Sequence, residues 1–369
     1  MSKIAILTLP LGANYGGILQ AFALQHVLRE MGHQPITIDR RAKPSLVFRT
    51  LSACKGLALF LARDQKRIRR QLNEREETFI YQHTSRFLDK YVMRTDPMYA
   101  TDELVKFAVA GDFGAYIVGS DQVWRKAYSR GIYNSFLDFV PASSGAKRIA
   151  YAASFGLDEW QFNQSETERL AQLAQLFDLI TVREESAVGL CGKYLGADAK
   201  HVLDPTMLLD RDVYVRLAQD KCTHPSPGNL FCYILDETKE KRQLIKDVCR
   251  SRSLSPFSIL PIPFYQIPYG ESLDRAVLPP VEQWLRSFYD AEMVVTDSFH
   301  GTVFSIIFGK ECIVIPNADR GKSRFDSLLS MCEMYEDEGY GICRIMSQNP
   351  SSTFRENRSI SMSLLSDIL

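Results

Sequence analysis

The sequence predicts an α/β protein of two Rossmann-like domains facing a central cleft. Three observations predict it. The chain opens as strand, loop, helix, strand; short apolar strands and amphipathic helices keep alternating; and the alternation pauses near Pro205–Asp210 and then starts again. Alternating βα units imply parallel sheets, and 369 residues suit two domains better than one.

The elements follow in order. Ile4–Leu9 is the first strand, Gly12–Gly17 a turn-rich loop, and Ile18–Met31 carries Leu24, Val27, Leu28 and Met31 at helical spacing. Ile36–Asp39 is the next strand. Residues 46–91 read as a mostly helical insertion whose mixed-charge run, Asp64–Glu77, suits either a solvated face or a substrate lid. Strand Ala115–Val118 ends in GSDQVW and strand Arg148–Ala153 in SFG. Helix Ser165–Gln175, strand Leu179–Val182 and strand His201–Leu203 complete the first half. The second half has strands at Leu230–Leu235, Phe257–Leu260, Met293–Val295 and Cys312–Ile315, with helices at Lys239–Arg250, Val281–Tyr289, Gly301–Phe308 and Ser323–Cys332. The expected division is 1–208, 209–345 and a tail, 346–369, whose last helix near Ser361–Leu369 packs back on the first domain.

Composition narrows the function. Lys plus Arg and Asp plus Glu both number 44, so bulk charge points to neither nucleic acid nor an anionic membrane. The N-terminus turns polar too soon for a signal peptide, and the most apolar run, Gly56–Ala62, is far below the ~20 residues of a membrane span. A cytoplasmic location is therefore expected. Eight cysteines without a CxxC pair read as reduced core thiols. No HExxH, GxSxG or P-loop occurs, so neither a metal nor a covalent Ser or Cys intermediate is expected.

The polar interruption TDSFHG, inside the apolar stretch Met293–Phe308, marks the chemistry. Ligands of open parallel sheets bind outside the carboxyl ends of strands, and these residues fall where a strand hands over to a helix. Asp297 or Ser298 suits a helix cap. His300 is either a satisfied structural residue, as a lone histidine before an apolar helix usually is, or a functional group that a bound anion would keep charged and that Asp297, three residues away, would orient. Arg320, Lys322 and Arg324 crowd a loop and helix start, as an anion site requires, although a solvated basic turn has the same composition. Arg183 follows a strand and suits either a carboxylate or phosphate clamp or a pairing with Glu184 or Glu185. On the first-half rim, Asn14, Tyr15, Gly16, Ser120, Asp121, Gln122 and Trp124 supply amides, hydroxyls, a close backbone approach and an aromatic face, a set that suits a sugar. Asp121 is either a helix cap or the base for an attacking hydroxyl.

Together, ILTLPLGANYGGILQAFALQHVL, YIVGSDQVW, TVREES, the DPT of VLDPT, TDSFHGTVFSIIFGK and NADRGKSRFDSLL resemble the polysaccharide pyruvyl transferase family, in order from Ile4 to Leu329. The resemblance implies a GT-B-like fold and transfer of the enolpyruvyl unit of phosphoenolpyruvate to a saccharide, giving a cyclic pyruvate ketal and phosphate. It implies no metal or organic cofactor, and an acceptor that is a surface glycan or its lipid- or nucleotide-linked precursor, with peripheral membrane contact in the lipid-linked case. By position His300 matches the family's catalytic histidine and Arg183 an arginine of donor binding. Some members carry an arginine two residues before the histidine; here Ser298 stands there, so Arg324 or Lys322 is expected to supply that donor contact. Two rivals share the fold: a glycosyltransferase using a nucleotide sugar, and a glycan-binding protein without chemistry.

Overall fold

The computed structural model describes residues 1–41, 72–129, 131–315, 323–333, 335–337, 343–345 and 351–369. Most of the 46–91 insertion therefore lies outside the described residues, as do Arg320 and Lys322. Glu74–Ile80 and Gln82–Tyr91, which are described, are helical as expected.

The first sheet holds β1 (Lys3–Leu7), β2 (Gln34–Ile38), β3 (Ala115–Asp121), β4 (Lys147–Ala153), β5 (Leu179–Val182) and β6 (Lys200–His201). Their order is β2-β1-β3-β4-β5-β6, and every pairing is parallel. The second sheet holds β7 (Leu230–Tyr233), β8 (Pro256–Phe257), β9 (Met293–Thr296), β10 (Glu311–Val314), β11 (Tyr335–Asp337) and β12 (Cys343–Ile345), in the order β11-β12-β10-β9-β7-β8. Its inner pairings are parallel, while β12 runs antiparallel to β10 and β11. This two-sheet, parallel-strand architecture is GT-B-like, two Rossmann-like units as the alternation predicted.

One expectation needed correction, and one element went unread. Gly12–Gly17 is not all loop: the helix runs Tyr15–Glu30, because the Asn14 side chain accepts from the Gly16 amide and caps its first turn. The antiparallel pair β11–β12 escaped notice because three-residue strands are too short to show a period, and their pairing is settled by the neighbouring β10.

The two halves share one hydrophobic cluster, which runs from Ile4, Ile18 and Leu24 through Tyr214 and Trp284 to Phe304 and Leu365. Tyr15 stacks on Trp284 with ring centroids 5.5 Å apart, and its hydroxyl donates to the Pro279 carbonyl at 2.8 Å. The helix Ser352–Ile368 returns to the stretch that follows β6. Arg358 donates to the Leu208 carbonyl at 2.7 Å and 3.0 Å, and the Leu203 amide donates to the Ser361 hydroxyl at 3.1 Å. Cys191, Cys222, Cys232, Cys249, Cys312 and Cys332 are free thiols, with Cys191, Cys232, Cys312 and Cys332 buried. No helix among the described residues is long and apolar enough to cross a membrane.

Leu365 on that last helix is fully buried. Leu365→Ala should cost about 2–5 kcal/mol in a urea melt, the range for a truncated core leucine. An unchanged midpoint would mean that the helix does not stay docked in solution.

Candidate active site

Parallel pairing brings the carboxyl ends of β3, β4 and β5 into one row, with Asp121 opposite Ala153 and Ala153 opposite Val182. Asp121 therefore ends one strand and Arg183 follows another on the same rim. Gly119 shapes this corner: it lies at φ +127°, and a Cβ there would come within 2.1 Å of the Tyr151 carbonyl oxygen. Asp121 itself sits at φ +73°, a conformation that non-glycine residues seldom adopt. Behind it, Gln20 accepts from the Ser120 amide at 2.9 Å and donates to Thr8, which donates to the Ser120 carbonyl.

Arg183 is 2% exposed and bridges two carboxylates. Its Nη1 donates to Asp204 Oδ2 at 3.0 Å and its Nη2 to Asp121 Oδ1 at 3.3 Å. Burial works against the guanidinium charge, but Asp121, Asp204 and Glu184 outweigh it and raise the Arg183 pKa above its ordinary value. Asp204 is more fully engaged. Its Oδ2 also accepts from Ser120 Oγ at 3.1 Å, and its Oδ1 accepts from the Thr206 amide and hydroxyl at 3.0 Å and 2.7 Å. Burial alone would raise this carboxyl, yet His300 and Arg183 hold it well below the usual carboxylate range.

From the second half, Ser298 caps the helix Phe299–Phe308 by accepting from the Gly301 amide at 3.3 Å. That places His300 in the first turn, where its Nε2 stands 3.7 Å from Asp204 Oδ2, an ion-pair distance longer than a hydrogen bond. The Phe299 ring lies against two guanidinium groups, with Arg183 Cζ at 4.4 Å and Arg324 Cζ at 5.6 Å from its centroid. Burial, and then the neighbouring Arg183 charge, lower the Arg324 pKa to about 10. Arg183 Nε and His300 Nε2 are buried without a hydrogen-bond partner among the described residues. An arriving anion would relieve both conditions, since it separates like charges and accepts from such donors.

Of the residues singled out from sequence, His300, Arg183, Asp121, Ser120, Gly16 and Arg324 come together here. Others do not. Asp297 does not orient His300: its carboxylate accepts from the Leu235 and Asp236 amides at 2.7 Å and 3.0 Å and pairs with Lys241 at 2.7 Å. Asp204 is the carboxylate that faces the imidazole. Arg183 does not offer a two-pronged clamp, because both Nη atoms are engaged within the protein, and its partners are Asp121 and Asp204 rather than hydrogen bonds to Glu184 or Glu185. Glu184 instead braces the SFG turn, accepting from Ser154 Oγ and the Phe155 and Gly156 amides, and burial raises its pKa. Trp124 shows the cleft no aromatic face; it is fully buried, stacks on Phe136 and donates to the Ser135 carbonyl. Tyr15 belongs to the packing between the halves. Gln122 accepts from Arg125, and Asn14 remains exposed at the rim.

Asp204 and Phe299 were missed as site residues. The available signal was position: Asp204 opens the DPT that follows a strand, and Phe299 sits beside His300. Among the described residues no group of three or more His, Cys, Asp or Glu could hold a metal ion.

The fold is that of a GT-B-like α/β protein, two Rossmann-like units with a buried histidine and two arginines at their seam. A family model for polysaccharide pyruvyl transferase matches residues 14–320, and the chain belongs to that family. The family carries pyruvyltransferase-type activity, with a phosphoenolpyruvate-type donor and a glycan acceptor. No curated protein matches the chain. Similar solved structures include a UDP-GlcNAc 2-epimerase from Methanocaldococcus jannaschii, at 12% identity over 98% of this chain and 99% of that one, with a TM-score of 0.47. Another is a UDP-GlcNAc 2-epimerase from Neisseria meningitidis bound to UDP-GlcNAc, at 9% identity over 85% and 82%, also at 0.47. A third is MurG from Acinetobacter baumannii, at 12% identity over 90% and 84%, at 0.39. Likenesses this distant carry no argument about activity.

Asp204→Asn should cost about 3–5 kcal/mol at neutral pH, since it leaves buried Arg183 with one carboxylate fewer. The folded pKa of Asp204 lies below the unfolded value of about 3.9, so its contribution is complete above that pH and fades as pH falls through the folded value. Melts across acid pH should show the wild type losing its advantage over Asp204→Asn below about pH 4. A constant difference would contradict the depressed pKa.

Proposed function

We propose that this protein moves the pyruvyl unit of phosphoenolpyruvate onto a saccharide, closing a pyruvate ketal across two hydroxyls and releasing phosphate, with His300 as general acid. The observation that supports it is the placement of His300 in a helix first turn beside Arg183 and Arg324, in a chain of this family. His300 gives its proton to the methylene carbon, which leaves C2 cation-like and open to an acceptor hydroxyl. The C2–O bond to phosphate then breaks, and a second hydroxyl adds at C2. Of the two hydroxyl protons, one restores His300 and the other leaves on phosphate. Arg324 holds the donor anion and Arg183 contributes its charge and its Nε–H. Asp121 is the candidate base, and Asn14 and Ser120 are candidate acceptor contacts. The acceptor is a lipid- or nucleotide-linked precursor, met in the cytoplasm, where phosphoenolpyruvate is made.

One observation favours a second reading, a transferase using a nucleotide sugar or a glycan-binding protein. Arg183 and Arg324 stand beside Asp121, Asp204 and Glu184, so these three carboxylates outnumber the two guanidinium groups that would meet a small trianion. Thermal shifts separate the readings. A ligand at about 100 times its dissociation constant adds about 2.7 kcal/mol. Phosphoenolpyruvate should raise the melting temperature of the wild type and not of Arg324→Ala, and phosphate should be released with a saccharide panel. A shift with nucleotide sugars alone, with release of nucleotide, would establish the nucleotide-sugar transferase, and a shift with saccharides alone and no release of either phosphate or nucleotide the glycan-binding protein. His300→Gln should lower turnover by ~10²–10⁴ with donor affinity retained; near-wild-type turnover would remove His300 as the acid.

A further inference from the structure

His300 belongs to the second half, yet both of its ring nitrogens meet the first. A Cβ built on Gly16 would lie 2.1 Å from His300 Nδ1, 2.3 Å from Cγ and 2.7 Å from Cε1, so the imidazole occupies the space that any other residue at position 16 would fill. On the other side of the ring, Nε2 faces Asp204 Oδ2 at 3.7 Å. From its own half, the ring meets the Phe299 side chain at 5.3 Å between centroids.

We propose that Gly16 and Asp204 are positioning residues for His300, a seat built by the first half that holds the proton donor in place only while the two halves are closed on each other. The proposal rests on the reading of His300 as the acid. Both walls of the seat are stiff. Gly16 lies in the first turn of a helix capped by Asn14, and that helix is buried along most of its length. Asp204 is held by Thr206, Ser120 and Arg183, so its free swing is small. The imidazole is 9% exposed and has two torsions of its own. Without walls on both edges, those torsions would let the donor nitrogen wander by an ångström or more, a displacement that costs about 10²-fold in rate. Glycine at position 16 is therefore explained by the histidine rather than by its backbone, which has no positive φ.

The two walls are tested separately. Gly16→Ala alters no charge and drives a Cβ into the ring, which must give way; a thermal melt beside the wild type checks that the fold survives. Gly17→Ala is the matched control, because the nearest atoms a Cβ there would meet belong to the Asn14 side chain, at 3.5 Å, an ordinary contact distance. Asp204→Asn keeps the shape of the other wall and removes its charge, so it too should lower kcat. Phosphate release from phosphoenolpyruvate, measured with a saccharide panel, should show kcat down about 10²-fold in Gly16→Ala with donor KM little changed, and wild-type values in Gly17→Ala. A second readout needs no acceptor. In protein labelled at histidine, the signal lost in His300→Gln identifies His300, and that signal should shift in Gly16→Ala and stay in Gly17→Ala. Wild-type kcat in Gly16→Ala, or an unmoved His300 signal, overturns the proposal, and does so even if Asp204→Asn fails to fold. If His300→Gln itself keeps its turnover, the function proposed above fails instead; if only His300→Gln is impaired, the seat alone is wrong.

Discussion

Arg183 is the charge on which the arrangement at the seam depends. A guanidinium this deeply buried is tolerable only with carboxylates in contact, and Asp121 and Asp204 supply them from the ends of β3 and of the stretch after β6. That pairing fixes three chain segments of the first half relative to one another. It also sets the stage for the second half, because the Phe299 ring lies on the same guanidinium. A neutral residue at 183 would leave two carboxylates facing each other in a site closed to water.

The site is shared between the halves rather than carried by one. Gly16, Ser120, Asp121, Arg183 and Asp204 come from the first, and Ser298, Phe299, His300 and Arg324 from the second. Neither set has both an acid and its surroundings. Glu185 adds a backbone link across the seam by donating its amide to Ser327 at 3.0 Å, and the Ser352–Ile368 helix ties the end of the chain to the stretch joining the halves. Relative placement of the halves thus becomes a chemical variable, since it decides whether His300 stands next to a carboxylate.

Much of this was legible in the sequence, for a physical reason. Strand ends in a parallel sheet are the places where side chains can leave the core yet stay fixed, so polar residues directly after apolar runs marked the rim at Asp121, Arg183 and His300. The same rule misjudged Trp124 and Tyr15. An indole or phenol needs a single hydrogen-bond partner to be buried, and the Ser135 and Pro279 carbonyls provide it, which sends both rings into the packing. Asp297 misled through nearness in sequence. Its carboxylate is taken by amides and a lysine on its own side of the helix start, and no pattern in TDSFHG announces them.

The sequence by itself determined the two βα-alternating halves, the parallel strand edges and the family, because each depends on local periodicity or on motifs in fixed order. It also marked Asp121, Arg183 and His300 as residues of the rim. The tertiary structure alone decided who meets whom there: Arg183 with Asp121 and Asp204 rather than with its neighbours Glu184 and Glu185, His300 with Asp204 rather than Asp297, and Gly16 with the imidazole. Such pairings join positions 21, 62 and more residues apart. They follow from how strand ends and helix starts converge in space, and chain order does not encode that convergence.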